Sequence, residues 1–496
     1  MNRILIKSII PYILLAGILF SACKKEEQPI APVIIPQASV VNLFVWNGLH
    51  DYYLWNSQVP GLANTKYEKT DSLNAFLNKY SDPEKLFNSL LYKRDTVDKW
   101  SFIVDDSKQI DDWISGISET IGYTVVPVRI GNSQDLFGLV LYVFKGSPAE
   151  KAGIKRGDVF LKVNDQQINV SNYQTLLYNT ITSKLSFATL SNHQVVPSDR
   201  TATVTAIQMQ ENPINKDTVF TVNNQKVGYL VYNGFNSDFD LQLNDVIQKF
   251  KDANINQMIL DLRYNGGGSV QSSIYLASML YGTDKTKLFA KAQYNEGVQQ
   301  YLVDAYGLQS LNDNFTNTIE ATTTHAATAI NTLNLQKIYI IVSDNTASAS
   351  ELLINGLKPY MNVKVVGVNT TGKYVGSISL KDENENGVVN PNNKWAMQPI
   401  VVKYANSLGV SDFVNGLTPD IRAEEDIANL LPFGDPNETL LSVVLNDIKG
   451  LSPISMTLKS AEMGLKKVAD PHANNRFAKD MYINPDKFKG LTKGLQ

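Results

Sequence analysis

The stretch IYIIVSDNTASASE, residues 338–351, decides how the fold of this chain is interpreted. Its apolar first half predicts a buried strand, and the polar turn after it leads into a predicted helix over residues 348–358. A second apolar run, Val363–Val368, predicts the next strand. Strand, helix and strand in this order are typical of βαβ units in an α/β sheet. Toward the N-terminus the alternation continues with predicted strands 227–232 and 258–262 and predicted helices 240–250 and 272–280.

Two polar residues next to these strands indicate catalytic chemistry. Ser348 begins the predicted helix, and Lys373 follows the second strand. A serine hydroxyl is a poor nucleophile until a base takes its proton. The histidines all stand in polar or isolated contexts, at His50, His193, His325 and His472. We therefore expect a lysine base, which requires that burial lower the lysine pKa. The alternatives are a helix N-cap for Ser348 and a solvated loop lysine for Lys373.

A glycine run, Gly266–Gly268, lies between a predicted strand and a predicted helix. Glycines at such a place let backbone N–H groups point into a cleft. The run predicts half of an oxyanion hole, formed by the N–H of Gly266 or Gly267, with the Ala349 N–H as the other half. A phosphate-binding loop and a plain tight turn are the alternatives, although the dinucleotide-binding glycine pattern is absent.

Residues 118–208 change to a pattern of short strands, and one stretch there is distinctive. The sequence KGSPAEKAGIKRGDVFLKVN, residues 145–164, closely resembles a PDZ domain. PDZ domains bind an extended C-terminal peptide at a sheet edge and capture its carboxylate with backbone N–H groups. The resemblance places that carboxylate loop near Ile121, Gly122 and Tyr123. The alternative is a PDZ fold whose groove is blocked and which only braces its neighbours.

Taken together, these motifs resemble one enzyme family, the carboxyl-terminal processing (tail-specific) serine peptidases. The matching stretches are DLRYNGGG at 261–268, SASE at 348–351 and GK at 372–373. Lys373 lies 25 residues after Ser348, which is the spacing of that family, and NGLTPDI at 415–421 resembles a closing motif. The helical N-terminal region with YLW at 53–55 resembles the lipoprotein variant of Bacteroidetes-type bacteria.

The resemblance implies a role for each residue. Ser348 would be the nucleophile that forms an acyl-enzyme, and Lys373 the general base and then the acid for the leaving amine. Many members carry a glutamine four residues after the lysine to orient it, but here Ser377 occupies that position. Ser377 and Glu351 are both candidate orienting groups. A carboxylate beside Lys373 would raise the lysine pKa, so Ser377 or a backbone carbonyl is preferred.

The N-terminus has the layout of an export signal, with basic residues, the apolar run Ile9–Phe20, a small pair and then Cys23. Cys23 is the only cysteine of the chain. The segment resembles a bacterial lipoprotein signal, which implies cleavage before Cys23 and lipidation of it. A transmembrane anchor and a cleaved signal with a free thiol are the alternatives.

The predicted fold class is multidomain α/β, with a ClpP/crotonase-like core, a PDZ-like β-rich domain and a small N-terminal helical domain. The predicted boundaries are 1–22 for the signal peptide, 23–39 for a tether, 40–114 for the helical domain, 115–210 for the PDZ-like domain, 211–435 for the core and 436–496 for a peripheral C-terminal helix and tail. The aromatic residues of the helical domain are predicted to form its core.

Charge balance and motif spacing give no support to nucleic-acid binding or to a metal site. The 496 residues include 45 Lys and Arg against 48 Asp and Glu, which gives no case for nucleic-acid binding. No metal site is predicted, because the acidic loop Asp382–Gly387 would need a glutamate where Asn393 stands. No cofactor is expected either.

The expected function is therefore an exported, lipid-anchored serine endopeptidase with a Ser-Lys dyad. Its substrates would be polypeptides with exposed apolar C-termini or unfolded segments, and its place the cell envelope, on the periplasmic or surface face of the outer membrane. A non-catalytic PDZ scaffold is the main alternative. A crotonase-type acyl-CoA enzyme is a third hypothesis, which export and the PDZ-like stretch disfavour.

Overall fold

The computed structural model describes residues 35–63, 67, 70–191, 194–384, 388–451, 458–470 and 477–488. Cys23 and the predicted signal and tether therefore lie outside the described residues, apart from the last residues of the tether. The N-terminal domain comprises α1 (Val40–Tyr52), α2 (Thr70–Leu77), α3 (Pro83–Ser89), β1 (Phe102–Val104) and α4 (Lys108–Ile114). Trp46 and Tyr53 are buried in its core, as predicted.

The PDZ-like domain contains a main β-sheet, a separate two-stranded sheet of β2 and β9, and two short helices. Its elements are β2 (Ile117–Thr120), β3 (Tyr123–Ile130), β4 (Phe137–Val143), α5 (Pro148–Lys151), β5 (Val159–Val163), β6 (Gln166–Gln167), α6 (Tyr173–Tyr178), β7 (Thr182–Ser191), β8 (Gln194–Thr205) and β9 (Ile207–Gln210). The helix α5 begins after Ser147, whose hydroxyl accepts a hydrogen bond from the Glu150 N–H. Pro148 at the first helical position suits this start, because its missing N–H would have no partner there.

The core alternates strands and helices, as the sequence predicts. Its first half is β10 (Ile214–Val222), β11 (Gln225–Tyr232), α7 (Asp240–Asp252), β12 (Gln257–Asp261), β13 (Gly268–Ser269), α8 (Val270–Leu280), β14 (Leu288–Gln293), α9 (Glu296–Tyr306), β15 (Asn312–Asn314), β16 (Thr318–Ile319) and β17 (Thr328–Ala329). Its second half is β18 (Lys337–Val342), α10 (Ala349–Leu357), β19 (Asn362–Gly367), β20 (Val375–Ser377), β21 (Leu380–Lys381), β22 (Ala396–Gln398), β23 (Ile400–Ala405) and β24 (Ile421–Arg422). The C-terminal elements are α11 (Thr439–Ile448), α12 (Lys459–Glu462), β25 (Leu465–Lys467) and β26 (Met481–Tyr482).

The main sheet of the core has the strand order β10-β11-β12-β18-β19-β24, parallel from β11 onward. Alternate residues of β18 face opposite sides of it: Ile340 packs with the cluster of α7, α8 and α10, and Ile341 with α11. Both faces are therefore covered, which explains why the strand is a continuous apolar run. Since α11 buries Leu441 and Val444 against this sheet, the boundary predicted at residue 436 falls inside the core.

The C-terminal segment is not the peripheral tail that the sequence predicts. β25 pairs with β3 of the PDZ-like domain, and β26 pairs with β13 and β20 in a second sheet of the core. Met481, Ile483 and Phe488 are all buried. The prediction was wrong because the segment is mostly polar in sequence, so its few apolar residues gave no clear strand pattern. In the structure, strand pairing places these apolar side chains in the core.

A buried ionic network ties the PDZ-like domain to the core. Arg156 donates to Glu425 Oε1 (2.6 Å), Tyr264 OH (3.0 Å) and Leu431 O (2.9 Å). Arg263, which is 1% exposed, bonds Asp261, Glu425 and Glu438. Burial alone would raise the pKa of Glu425, but the two guanidinium groups hold it well below its ordinary value. The network therefore fixes the chain immediately before the glycine run.

Replacing Arg156 by alanine should lower the free energy of unfolding by about 3–5 kcal/mol, because it leaves buried acceptors and the Glu425 charge without this partner. The exposed arginine Arg422, paired with Glu424, is the matched control, and its replacement by alanine should change stability by less than about 1 kcal/mol. Urea unfolding of the two variants measures the difference. Equal effects would show that the network does not stabilise the domain contact.

Candidate active site

Three loops meet at the carboxyl ends of neighbouring parallel strands. The glycine run follows β12, the Ser348 loop follows β18, and the Lys373 loop follows β19. The carboxyl edge of a parallel sheet is where ligands bind in open α/β folds. Residues far apart in sequence are thus brought together by the order of the strands.

Ser348 immediately precedes α10 and has an unusual backbone, with φ +66° and ψ −118°. Such values are costly for a residue with a side chain and persist only where surrounding contacts enforce them. The side chain is fully buried, and its Oγ has no hydrogen-bond partner among the described residues. Ser348 does occupy the N-cap position of the alternative interpretation and has the capping-box arrangement with Glu351, but its hydroxyl makes no hydrogen bond of ordinary geometry among the described residues. An unpartnered buried hydroxyl on a strained backbone is typical of a nucleophile rather than of a structural cap.

Glu351 holds the serine and lysine loops together. Its Oε2 accepts from the backbone N–H of Ser348 and of Lys373, both at 2.8 Å. Its Oε1 accepts from the Gly372 N–H at 2.7 Å and from the Thr370 hydroxyl. Burial raises the pKa of Glu351 to about 7, although these donors act in the opposite direction. Glu351, a candidate orienting residue from the sequence, therefore positions the main chain of Lys373.

Lys373 is buried, with 1% of its side chain exposed, and its amine donates to a carboxylate oxygen of Asp480. The amine also lies 5.1 Å from the centre of the Trp100 ring, contributed by the N-terminal domain. Burial lowers the pKa of Lys373, and the Asp480 carboxylate opposes this shift. Lys373 and Ser348 line the same narrow cavity, which is too small to hold a water molecule, although no hydrogen bond joins them.

Asp480 is the site residue that sequence reasoning missed. Ser377, predicted to orient the lysine, lies 2.9 and 3.0 Å from the two Asp480 oxygens and makes no direct hydrogen bond to the amine. Gln398, which is fully buried, donates to Ser377 Oγ at 3.0 Å. The signal available in the sequence was the short apolar run Met481–Ile483, directly after Asp480, within an otherwise polar tail.

Two of the predicted oxyanion residues, Gly267 and Ala349, lie beside Ser348. A Cβ atom placed on Gly267 would be 2.7 Å from Ser348 Cβ and 3.1 Å from the Ala349 nitrogen, so only glycine fits there. The Gly267 N–H donates to Asn265 Oδ1 at 2.9 Å and is therefore engaged. The N–H groups of Gly266 and Ala349 have no acceptor within the described parts of the chain. These two are the available donors of the predicted set.

The predicted carboxylate loop of the PDZ-like domain leads into β3. Gly122 has φ +87°, and its N–H donates to the Thr120 hydroxyl at 3.0 Å. The Gly122 carbonyl accepts from the Phe144 N–H, and the Ile121 carbonyl from the Ala149 N–H. Tyr123 pairs with Val143 of β4, while β25 covers only Val128–Ile130 on the other edge of β3. The part of β3 next to the carboxylate loop is thus free of a paired strand in the described structure.

A cleft of about 410 Å³ runs from the PDZ-like domain to the glycine run, and its lining includes Ser118, Tyr142, Gly267 and Asp480. Within the described ranges, no group of three or more metal-binding side chains is found. The helices described here also include none long and apolar enough to cross a membrane. The glycine, serine and lysine loops, together with the cleft, are the arrangement expected for acyl transfer from a bound polypeptide.

Comparison with known families gives three matches along the chain. The profile of peptidase family S41 matches residues 226–423, that of the peptidase S41 N-terminal domain matches 40–102, and that of the PDZ domain matches 139–187. They follow in the order that the sequence predicts. The fold class and the family resemblance predicted from the sequence are confirmed.

Individual relatives agree with these profiles. A probable CtpA-like serine protease of Staphylococcus aureus (strain MRSA252) is 25% identical over 79% of this chain and 74% of its own. The carboxy-terminal processing protease CtpA of Bacillus subtilis (strain 168) is 25% identical over 82% and 78%. The crystal structure of a putative S41 protease from Bacteroides fragilis matches with a TM-score of 0.64 and 26% identity, covering 82% of this chain and 97% of that one.

Replacing Glu351 by alanine should inactivate the site and lower the free energy of unfolding by about 3–5 kcal/mol, because buried donors lose their acceptor at about 1–3 kcal/mol each. Glu296→Ala, at an exposed position in the first turn of α9, is the matched control and should cost less than about 1 kcal/mol. Urea unfolding and cleavage of casein measure both effects. Full activity in Glu351→Ala would contradict the role of this carboxylate.

Proposed function

Because this chain belongs to peptidase family S41 and is a serine-type peptidase, we propose that Ser348 and Lys373 form its catalytic dyad. The observation that carries the proposal is the Ser348 hydroxyl, which is buried, unpartnered and held on a strained backbone in the cavity that Lys373 also lines. In the reaction, Lys373 accepts the Ser348 proton as Oγ attacks the scissile carbonyl, and then gives a proton to the leaving amine.

The oxyanion of the tetrahedral intermediate would be bound by the Gly266 and Ala349 N–H groups. Both are free of protein acceptors in the described chain, and Ala349 begins α10, whose N-terminus favours negative charge. The burial of Lys373 supports its role as base, because a lowered pKa increases the neutral fraction of the amine near pH 7.

The substrates are proposed to be polypeptides with exposed apolar C-termini or unfolded segments. The support is the PDZ-like domain, whose strand β3 leaves its edge free next to Ile121–Tyr123 among the described residues. A cleft also runs from Ser118 and Tyr142 of the same domain to the glycine run. An extended peptide bound there by strand addition would be presented to the catalytic loops.

The dyad is tested with Ser348→Ala, Lys373→Ala and Lys373→Arg, each expected to lower kcat/KM on casein at least about a thousandfold. Lys373→Arg keeps the positive charge but cannot become neutral, so it separates base catalysis from electrostatic effects. Lys364→Met removes a lysine paired with Asp447 away from the cleft and is the control.

The pH profile checks the same mechanism. Since the base acts only when neutral, kcat/KM should rise with pH through one ionisation, at a pH below the ordinary lysine pKa of about 10.4. Full cleavage by Ser348→Ala would refute the dyad, whereas an absence of cleavage by the unmodified protein would favour the scaffold hypothesis.

We also propose that the precursor is cut before Cys23, lipidated there and held at the outer membrane of a bacterial envelope. The support is the export signal and the single cysteine directly after it. Cys23→Ser should remain unprocessed and incorporate no radiolabelled palmitate, and globomycin should cause the wild-type precursor to accumulate. Normal processing under globomycin would contradict lipidation.

A further inference from the structure

The catalytic pair is closed to solvent. Ser348 is 0% exposed and Lys373 is 1% exposed, so a polypeptide cannot reach them in this conformation. Residues 478–482 of the C-terminal region cover the glycine run: the Ala478 carbonyl oxygen would be 1.8 Å from a Cβ atom on Gly266. The segment that covers the site is part of the same chain, and its contacts are specific.

Asp480 contacts the catalytic groups with both its side chain and its main chain. Its carboxylate accepts from the Lys373 amine. Its carbonyl oxygen accepts from the Gly268 N–H at 2.8 Å and would lie 2.6 Å from a Cβ atom on Gly267. The same Cβ position on Gly267 would be 2.7 Å from Ser348 Cβ and 3.1 Å from the Ala349 nitrogen. A peptide carbonyl of the chain itself therefore lies close to the nucleophile and to the glycine run.

The segment is held by strand pairing, the interaction by which extended peptides bind at sheet edges. β26 lies between β13 and β20, with Met481 opposite Gly268 and Tyr482 opposite Ser269 and Ser377. The Ile483 N–H donates to the Ser377 carbonyl at 3.1 Å. The main chain beside the catalytic residues thus binds a peptide strand.

The same C-terminal region also occupies the edge of the PDZ-like domain. β25 adds antiparallel to β3, with Leu465 opposite Ile130, and the Val468 N–H donates to the Pro127 carbonyl at 2.9 Å. In the sequence, β25, which contacts the PDZ-like domain, comes before β26, which lies beside the catalytic residues. A substrate whose C-terminus ends in the carboxylate loop would have the reverse order, with its scissile bond before the PDZ contact. The segment is therefore placed to be held rather than cut.

We propose that the described C-terminal stretch 477–483, together with the PDZ contact of residues 465–468, is an intramolecular peptide ligand that closes this peptidase, and that an incoming polypeptide must displace residues 478–482 to reach Ser348. The inference rests on the proposed function, since it assigns the closed state to the same Ser348–Lys373 site. The competing interpretation is that Asp480 positions the base permanently, in place of the glutamine of the family.

The two interpretations differ in whether the Asp480 carboxylate hinders or supports Lys373 as a base. Three carboxylates interact with the amine: Asp480 from the C-terminal segment, Asp98 from the N-terminal domain and Glu351 from α10. Each favours the protonated lysine, which cannot act as a base. Among the described residues, Asp480 is the only carboxylate to which the Lys373 amine donates a hydrogen bond. Its withdrawal would therefore favour the neutral form of the lysine.

The first test is Asp480→Asn, which keeps the side-chain shape and removes the charge. We expect kcat/KM on casein, and the rate at which a fluorophosphonate labels Ser348, to rise about tenfold. The acid limb of the pH profile should move to lower pH. Asp447→Asn, which removes the partner of Lys364 away from the cleft, is the control and should change neither rate. A lower or unchanged rate in Asp480→Asn would overturn the inference, and a lower rate would assign Asp480 to positioning the base.

A second variant avoids the ion pair. Ile483→Asp places a charge at a buried position of the segment, which is 7% exposed. Because an unpaired buried charge costs free energy, we expect the segment to leave its site so that the new carboxylate reaches water. It should also speed labelling of Ser348, and a synthetic peptide of residues 477–488 added to it should restore inhibition. No inhibition by the peptide would overturn the inference. In both variants, adding Ser348→Ala must abolish cleavage; if cleavage persists, the proposed dyad fails instead.

Discussion

The carboxylate of Glu351 is the constraint on which the active site depends. It binds the main-chain N–H groups on either side of the site, at Ser348 and at Lys373, and so sets the distance between two loops that follow different strands. The Ser348 N–H bond also keeps the backbone at φ +66°, a conformation that is costly for serine. Because Glu351 is in the first turn of α10, the helix N-terminus favours its negative charge, while burial disfavours it. The hydrogen bonds it accepts keep this carboxyl in the core.

Much of the site could be predicted because its parts are local. The apolar runs of β18 and β19 define where the loops begin, and the 25-residue spacing of Ser348 and Lys373 together with the glycine run identifies the family. Asp480 could not be placed in this way. It lies more than 100 residues after Lys373 and immediately precedes β26, whose pairing with β13 and β20 joins segments that are far apart in the sequence. Local patterns carry no information about such pairing, and Ser377 alone could not show that a carboxylate would join it.

The other domains contribute directly to the catalytic loops. Trp100 of the N-terminal domain faces the Lys373 amine, and β1 of that domain pairs with β22, the strand that ends in Gln398. Arg156 of the PDZ-like domain bonds Tyr264, two residues before the glycine run. The contacts between domains are thus part of the active site, and a shift of either domain would alter the surroundings of the base or of the oxyanion donors.

The state of Lys373 follows from a balance between opposing effects. Burial favours the neutral amine that catalysis needs, and the nearby carboxylates favour the ammonium ion. In the closed structure Asp480 bonds the amine, while the Ser348 hydroxyl has no partner in the part of the chain that the structure describes. Departure of residues 478–482 would open the cleft, free the Gly268 N–H and shift the lysine toward its neutral form at the same time. Access of substrate and activation of the base would then depend on one movement, so that an exposed nucleophile and a competent base appear together.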